Sequence, residues 1–273
     1  MSWNGQAIWI TGASSGIGAA LAKALAAQGA RMVLSGRNRT ALEAVAQGCG
    51  QALVLPFEVT DYAALPALTE QAWDWAGGID CLINNAGISQ RSLAVDTAFT
   101  VYNQIVNVDL LAPIALTQAV LPRMAARGSG RIVMISSLAG KFGAPLRTAY
   151  SAAKFGLIGY ADALRAEVAG LGLAVQVIAP GSVQSNVSRN ALTADGAKRG
   201  ASDSSIDNGI DTDEAAAEML AALARGEREI IIARGIEREL GEARRTPDAV
   251  FDQIAAMVAA GYAQKMAAEA GET

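Results

Sequence analysis

Histidine is absent from this chain, which removes Ser-His-Asp and Cys-His catalysis and the commonest zinc ligand sets before any motif is considered. Cysteine is nearly absent. Cys49 and Cys81 are too few for a disulfide framework and read as ordinary buried or half-buried thiols. Basic excess is lacking too: 22 Lys and Arg against 26 Asp and Glu leave a net charge of −4. The cations are scattered, so no nucleic-acid partner is expected, and without histidine no bound metal is expected. No run approaches the roughly 20 apolar residues of a bilayer crossing. The opening MSWNGQAIWITG has no basic region ahead of a secretory apolar stretch. The expectation is a cytoplasmic protein without a transmembrane segment. What is present is 273 residues, 52% hydrophobic and 18% charged, with 28 glycines against 7 prolines. That composition supports one sizeable core with many tight turns, in one domain over 1–273.

Short β-rich runs alternate with Ala-rich helical stretches. QAIWI precedes a helix at Ile17–Gln28, RMVLS one at Thr40–Gln47, ALVLPF one at Tyr62–Ala76, and DCLIN a long helical stretch reaching about Ala126. GRIVMIS, a helix at about Thr148–Gly170, LAVQVIA, a helix near Asp213–Ala224 and REIIIA complete the series. This is the rhythm of an α/β, doubly wound, Rossmann-like and mostly parallel sheet of seven strands with helices on both faces. The strands are nearly continuous apolar runs, as burial on both faces requires. Ser182–Thr212 breaks the rhythm, being rich in Ser, Asn, Asp and Gly, and reads as a substrate lid or as a tolerated surface insertion. From about 236 to 273 a helical extension is expected. Its stretch Asp248–Ala268 carries Val250, Ile254, Met257 and Val258 at helical spacing, for docking on the domain or on a partner subunit.

Directly after the first strand, Thr11-Gly12-Ala13-Ser14-Ser15-Gly16-Ile17-Gly18 opens a helix. Glycines in a strand-to-helix turn let backbone N–H groups approach a pyrophosphate, and the helix dipole stabilises the anion. The spacing is G-x-x-x-G-x-G rather than G-x-G-x-x-G, so a turn built for geometry alone stays open. After the second strand an NAD site usually carries an acid for the ribose 2′-hydroxyl. Gly36 leaves that place empty, and Arg37, 19 residues after Gly18, is positioned to pair with a 2′-phosphate. NADP(H) is therefore expected over NAD(H), the alternative being a solvated arginine at a strand end.

Tyr150 and Lys154 stand four apart at the start of a helical stretch, on one face. An ammonium beside a phenol favours the phenolate and makes a plausible general acid/base. Alone, the pair reads equally as a solvated surface pair. Ser137 ends the apolar strand GRIVMIS, 13 residues before Tyr150, where doubly wound sheets hold their ligands. Its hydroxyl can donate to a carbonyl oxygen gaining negative charge. Strand alternation sends its neighbour Ser136 the other way.

With these motifs in order, the chain resembles the short-chain dehydrogenase/reductase family, in its single-domain branch, over nearly everything to about Ala233. The family pattern T-G-x-x-x-G-x-G falls on Thr11 to Gly18, N-N-A-G on Asn84-Asn85-Ala86-Gly87, the catalytic Asn on Asn107, and P-G-x-V-x-T on Pro180-Gly181 to Val183 and Ser185. The resemblance implies that Tyr150 transfers the proton and that Lys154 tunes it and holds the nicotinamide ribose. Ser137 would orient the substrate oxygen, and Asn107 would help hold a water linking Lys154 to solvent. Gly12, Ser14, Ser15, Gly16, Ile17, Gly18, Arg37, Asn84, Ala86, Gly87, Pro180, Gly181, Val183 and Ser185 would bind cofactor. Glu58-Val59 stands where the family commonly has Asp before an aliphatic residue against adenine, and Ser185 replaces a Thr near the carboxamide. Ser185–Ser188 and Ala191–Gly196 also resemble the lid of a sub-branch, dehydrogenase/reductase family member seven B, linked to lipid-like ketones, which implies apolar or bulky carbonyls.

The implied activity is reversible hydride transfer between NADP(H) and a small-molecule carbonyl or secondary alcohol. The resemblance also implies a homodimer or homotetramer. Competing readings are an NAD-dependent alcohol dehydrogenase of the same family and a non-catalytic cofactor sensor, which would need no general acid. Trp73 and Trp75 read as helix packing.

Overall fold

The structure is a computed structural model that describes residues 2–245 and 247–261. Seven parallel strands make one sheet: β1 (Ala7–Thr11), β2 (Arg31–Ser35), β3 (Ala52–Val54), β4 (Cys81–Asn84), β5 (Gly130–Ile135), β6 (Leu173–Pro180) and β7 (Glu229–Ile232). Their order is β3-β2-β1-β4-β5-β6-β7. The chain winds outward from β1 to β3 and then crosses back to place β4 on the other side of β1. That reversal opens a crevice at the carboxyl ends of β1 and β4, where such sheets bind ligands. The expected α/β, doubly wound architecture is the observed one.

Alternate residues of each strand serve opposite layers. Ile8 and Ile10 of β1 join Met32, Leu34, Ile83 and Ile230 in one cluster, under α1 (Gly16–Ala27), α2 (Arg39–Ala46) and, further along the chain, Thr212–Ala224. Ala7 and Trp9 join Val33, Leu82, Ile132 and Val175 in the other. There the cover is α3 (Leu65–Ala76), α5 (Ala112–Arg127) and α6 (Thr148–Val168), while Val101 and Ile105 of α4 (Phe99–Val106) pack on Ala149 and Ala153 of α6. Both cysteines are buried free thiols, and burial pushes Cys81 up to about 12. Beyond β6 come α7 (Ser204–Asp207), α8 (Thr212–Ala224), α9 (Gly235–Ala243) and α10 (Asp248–Ala259).

Several boundaries differ from the sequence expectation for physical reasons. β3 is shorter than ALVLPF because Pro56 has no N–H for the ladder, although the N–H groups of Leu55 and Phe57 still reach Leu34 and Gly36 carbonyls. The long helix before β5 begins only at Phe99 and is broken by a π-helical turn, Asn107–Leu111. Together Phe99–Arg127 form 29 helical residues, long and apolar enough by length and composition to cross a membrane. Counting uninterrupted apolar residues missed this, because Asn107, Asp109 and Gln118 punctuate the stretch. Here its Leu116, Val120 and Met124 pack into the core under the sheet. In α10 the docking residue is Phe251, buried with the Arg165 guanidinium 4.1 Å from its ring centroid, while Val250 faces outward. The side chains of Ile254, Met257 and Val258, and everything expected past 261, lie outside the described residues.

Candidate active site

The carboxyl ends of β1, β4, β5 and β6 open on one cleft of about 690 Å³. One wall is the turn between β1 and α1. Gly12 and Gly16 hold φ of +66° and +53°, backbone that L side chains rarely adopt. A Cβ at Gly12 would come within 2.9 Å of Ala86 Cα. The turn is fixed from the side by residues 85–86. Thr11 Oγ1 accepts the N–H groups of Asn85 (3.0 Å) and Ala86 (3.1 Å), and Asn85 Nδ2 donates to the Thr11 and Gly12 carbonyls at 2.9 and 3.2 Å. Ser15 leaves the first turn of α1 without a side-chain cap. Uncapped N–H donors beside side-chain-free glycines fit a pyrophosphate, so the residues present suit a dinucleotide.

At the adenosine end the cleft is lined by Gly36, Arg37, Glu58 and Val59. Arg37 Nη1 lies 3.5 Å from Glu58 Oε2, with the two side chains 70% and 42% exposed. An exposed pair of that length contributes little to stability, which leaves the guanidinium free to exchange partners.

The other end gathers residues from three elements. Tyr150 and Lys154 come from the first turns of α6, Ser137 from just past β5, and Asn107 from the start of the π-helical turn; all four line the cleft. Lys154 Nζ is buried and lies 5.6 Å from the Tyr150 ring centroid. It donates to the Ile135 carbonyl at 3.0 Å and faces Asp109 Oδ2 at 3.1 Å. Burial works to lower the Lys154 pKa, and the Asp109 carboxylate outweighs it, so the ammonium is raised above its ordinary value. Burial pushes the Asp109 carboxyl up, with Lys154 and the Ile88 N–H pulling it back. Ser137 Oγ accepts the Ala139 N–H at 3.1 Å and reaches the Pro180 carbonyl only at 3.4 Å, a long bond readily exchanged for another acceptor. Ser136 turns the other way and donates to the Lys154 carbonyl. The Asn107 carbonyl accepts the Tyr62 hydroxyl at 3.3 Å.

Ser14, Ser15, Ile17, Ala86, Gly87, Pro180, Gly181, Val183 and Ser185 also line the cleft. Two expected cofactor residues do not. Asn84 is buried and donates to Thr117 Oγ1 at 3.0 Å, so its side chain ties β4 to α5 instead of supporting adenosine. Gly18 sits behind the turn, where a Cβ would lie 2.3 Å from the Gly12 carbonyl oxygen. Its requirement is close packing of α1, not contact. Sequence reasoning passed over Asn85, which braces the glycine turn, and Asp109. The available signal for Asp109 was an acid inside the apolar stretch Ile105–Ala115.

A family model described as short chain dehydrogenase matches residues 6–196. The chain belongs to the short-chain dehydrogenase/reductase family. It is 37% identical over 238 residues to dehydrogenase/reductase SDR family member 7B of Danio rerio, covering 84% of this chain and 77% of that one. It is 42% identical over 195 residues to ketoacyl reductase HetN of a Nostoc species, covering 70% and 67%. A metagenomic short-chain oxidoreductase solved with NADP is 29% identical, with TM-score 0.70 over 85% of this chain and 99% of that one. A Burkholderia phymatum family member solved with NAD, at 19% identity and TM-score 0.76, covers 85% and 90% and shares the fold. The chain is thus an oxidoreductase family member whose fold binds a nicotinamide cofactor, and family members act on small molecules.

Proposed function

We propose that this short-chain dehydrogenase/reductase transfers hydride between NADP(H) and a carbonyl or secondary alcohol, with Tyr150 as general acid/base. The observation that carries the reading is the convergence of Ser137, Tyr150 and Lys154 on one end of a cleft whose other end is the glycine turn. Bound nicotinamide supplies or accepts the hydride at the substrate carbon. Tyr150 gives its hydroxyl proton to the carbonyl oxygen in reduction and takes it back in oxidation. Ser137 Oγ, released from its long bond to Pro180, donates to the same oxygen as negative charge develops. Lys154 holds positive charge beside the phenol and has one N–H left for the cofactor ribose or a water.

The preference for NADP(H) rests on Gly36 and Arg37. No acid occupies the place where a ribose 2′-hydroxyl would be read, and Arg37 can leave Glu58 for a 2′-phosphate. One relative is solved with NADP and one structural neighbour with NAD, and an NAD-dependent alcohol dehydrogenase is the alternative.

The segment 182–212 acts as the substrate lid. Val187, Leu192 and Ile206 bring apolar surface to the cleft, with Asn186, Asn190 and Lys198 among them. This suits a carbonyl on an apolar body, in keeping with the ketoacyl reductase name of the Nostoc relative. Loss of NADPH absorbance against ketones, ketoacyl thioesters, aldehydes and sugars tests the reading. Turnover of apolar carbonyls is expected, and activity confined to small polar aldehydes or sugars would contradict the lid assignment. The working form is a homodimer or homotetramer, for which Leu111 and Phe155 supply exposed apolar surface flanking the contact of Gly156 with Leu110.

A further inference from the structure

Asp109 is a fully buried carboxylate in the middle of an apolar helical stretch. Oδ1 accepts the Ile88 N–H at 2.9 Å, and Oδ2 has the Lys154 ammonium at 3.1 Å as its counter-charge and no other polar partner among the described residues. The π-helical turn at Asn107–Leu111 sets this direction. Room for the pair comes from residue 87 being glycine: a Cβ there would lie 2.8 Å from Oδ2 and 3.4 Å from Nζ. An ammonium has three N–H donors. Ile135 and Asp109 engage two of those on Lys154, and the third is left for the cleft.

We propose that Asp109 is a positioning residue for proton transfer at Tyr150, holding the Lys154 ammonium charged and aimed so that one N–H faces the cleft. The proposal rests on the reading of Tyr150 as the acid/base. The groups facing the pair are few. α6 contributes Tyr150 and Lys154, and the 107–111 turn contributes Asp109. The loop after β4 supplies the Ile88 N–H, and β5 supplies the Ile135 carbonyl. α4 lines the same cleft with the uncharged Gln104. Arg147, ahead of α6, is a further charge that interacts with Tyr150. A buried ammonium deprived of its counter-charge sheds its proton more readily. Lys154 should therefore need Asp109 to stay charged.

The test is Asp109→Asn in the full chain. The pH profile of kcat/KM for carbonyl reduction with NADPH should fall on its alkaline side at a pH lower by about one unit or more, because the Lys154 charge that makes the phenol an effective acid is shed earlier. The phenolate absorbance of Tyr150, obtained by subtracting a Tyr150→Phe chain, should appear at higher pH than in the native protein, because its cationic neighbour has gone. Asp109→Glu, which restores a carboxylate, should move both readouts back. An unchanged profile and titration in a folded Asp109→Asn chain, or a phenolate that appears earlier, would overturn the proposal. If that chain does not fold, Asp109→Ser carries the same expectation. Failure of both to fold would make the pair structural and equally overturn it. The phenolate titration needs no turnover, so a native protein that reduces no carbonyl would defeat the functional reading while the titration still decided the hold of Asp109 on Lys154.

Discussion

A tyrosine hydroxyl exchanges protons poorly near neutral pH unless a cation stands beside it, so the work at this site divides among single residues. In the proposed reaction Ser137→Ala removes one donor to the developing oxyanion. The expected loss in kcat is on the order of a hundredfold or more, with cofactor binding intact in a fluorescence titration. At the other end of the cleft Arg37 is exposed, and its loss acts through a screened contact. Arg37→Ala should weaken NADPH by about tenfold and leave NADH nearly unchanged. Equal weakening of both cofactors would remove Arg37 as the discriminator. Ser137, Tyr150 and Lys154 were legible in the sequence because a strand end and an i, i+4 helical spacing each fix a direction. Asp109 was not, because its partner is 45 residues away and only the fold brings them to 3.1 Å. The bond from Asn84 to Thr117 was hidden because a motif locates a residue and not the way its side chain turns.

At the scale of the element, the Asp203 carboxylate gathers three arginines at the segment 182–212. Asp203 pairs with Arg91 at 2.6 Å, with Arg199, and with Arg147 at 3.6 Å, while Ser188 Oγ accepts the Asp203 N–H and an Arg199 N–H. Partial burial works to raise the Asp203 pKa, but hydrogen bonds involving Arg91, Arg199 and Ser188 hold it well below the usual carboxylate range. A depressed folded value contributes stability that is present above the unfolded value of about 4 and is lost only as pH falls through the folded one. The segment should therefore stay protected from limited proteolysis in mild acid. Asp203→Ala leaves the buried Arg91 without its counter-charge, at a cost on the order of 3 kcal/mol. Cleavage within 186–203 should then quicken at neutral pH, and an unchanged rate would mean that other contacts hold the segment. The sequence marked this segment by its break in rhythm. It could not show the latch, since Arg91 lies 112 residues from Asp203. Leu146, with φ of +63°, is a further feature no periodicity reveals; it bends the chain just ahead of α6.

For the whole molecule, the sheet was legible because strands buried on both faces read as continuous apolar runs, and all seven strands were marked in the sequence. What the sequence hid were interruptions made by backbone chemistry, such as Pro56 ending β3 and the π-helical turn inside the 99–127 stretch. Assembly belongs to the same scale. Sedimentation should give a mass of two or four times 28.0 kDa, and Leu111→Glu with Phe155→Glu should reduce it to the monomer. A native monomer at micromolar concentration would contradict the assembly. The proposed reaction turns on proton transfer by Tyr150 during NADPH-dependent carbonyl reduction. The most direct measurement is NADPH oxidation by the native protein and by Tyr150→Phe across apolar ketones and ketoacyl thioesters. Turnover by the native protein is expected, with a loss of about a hundredfold to ten-thousandfold in the variant and NADPH binding retained. Equal rates in the two proteins would contradict it.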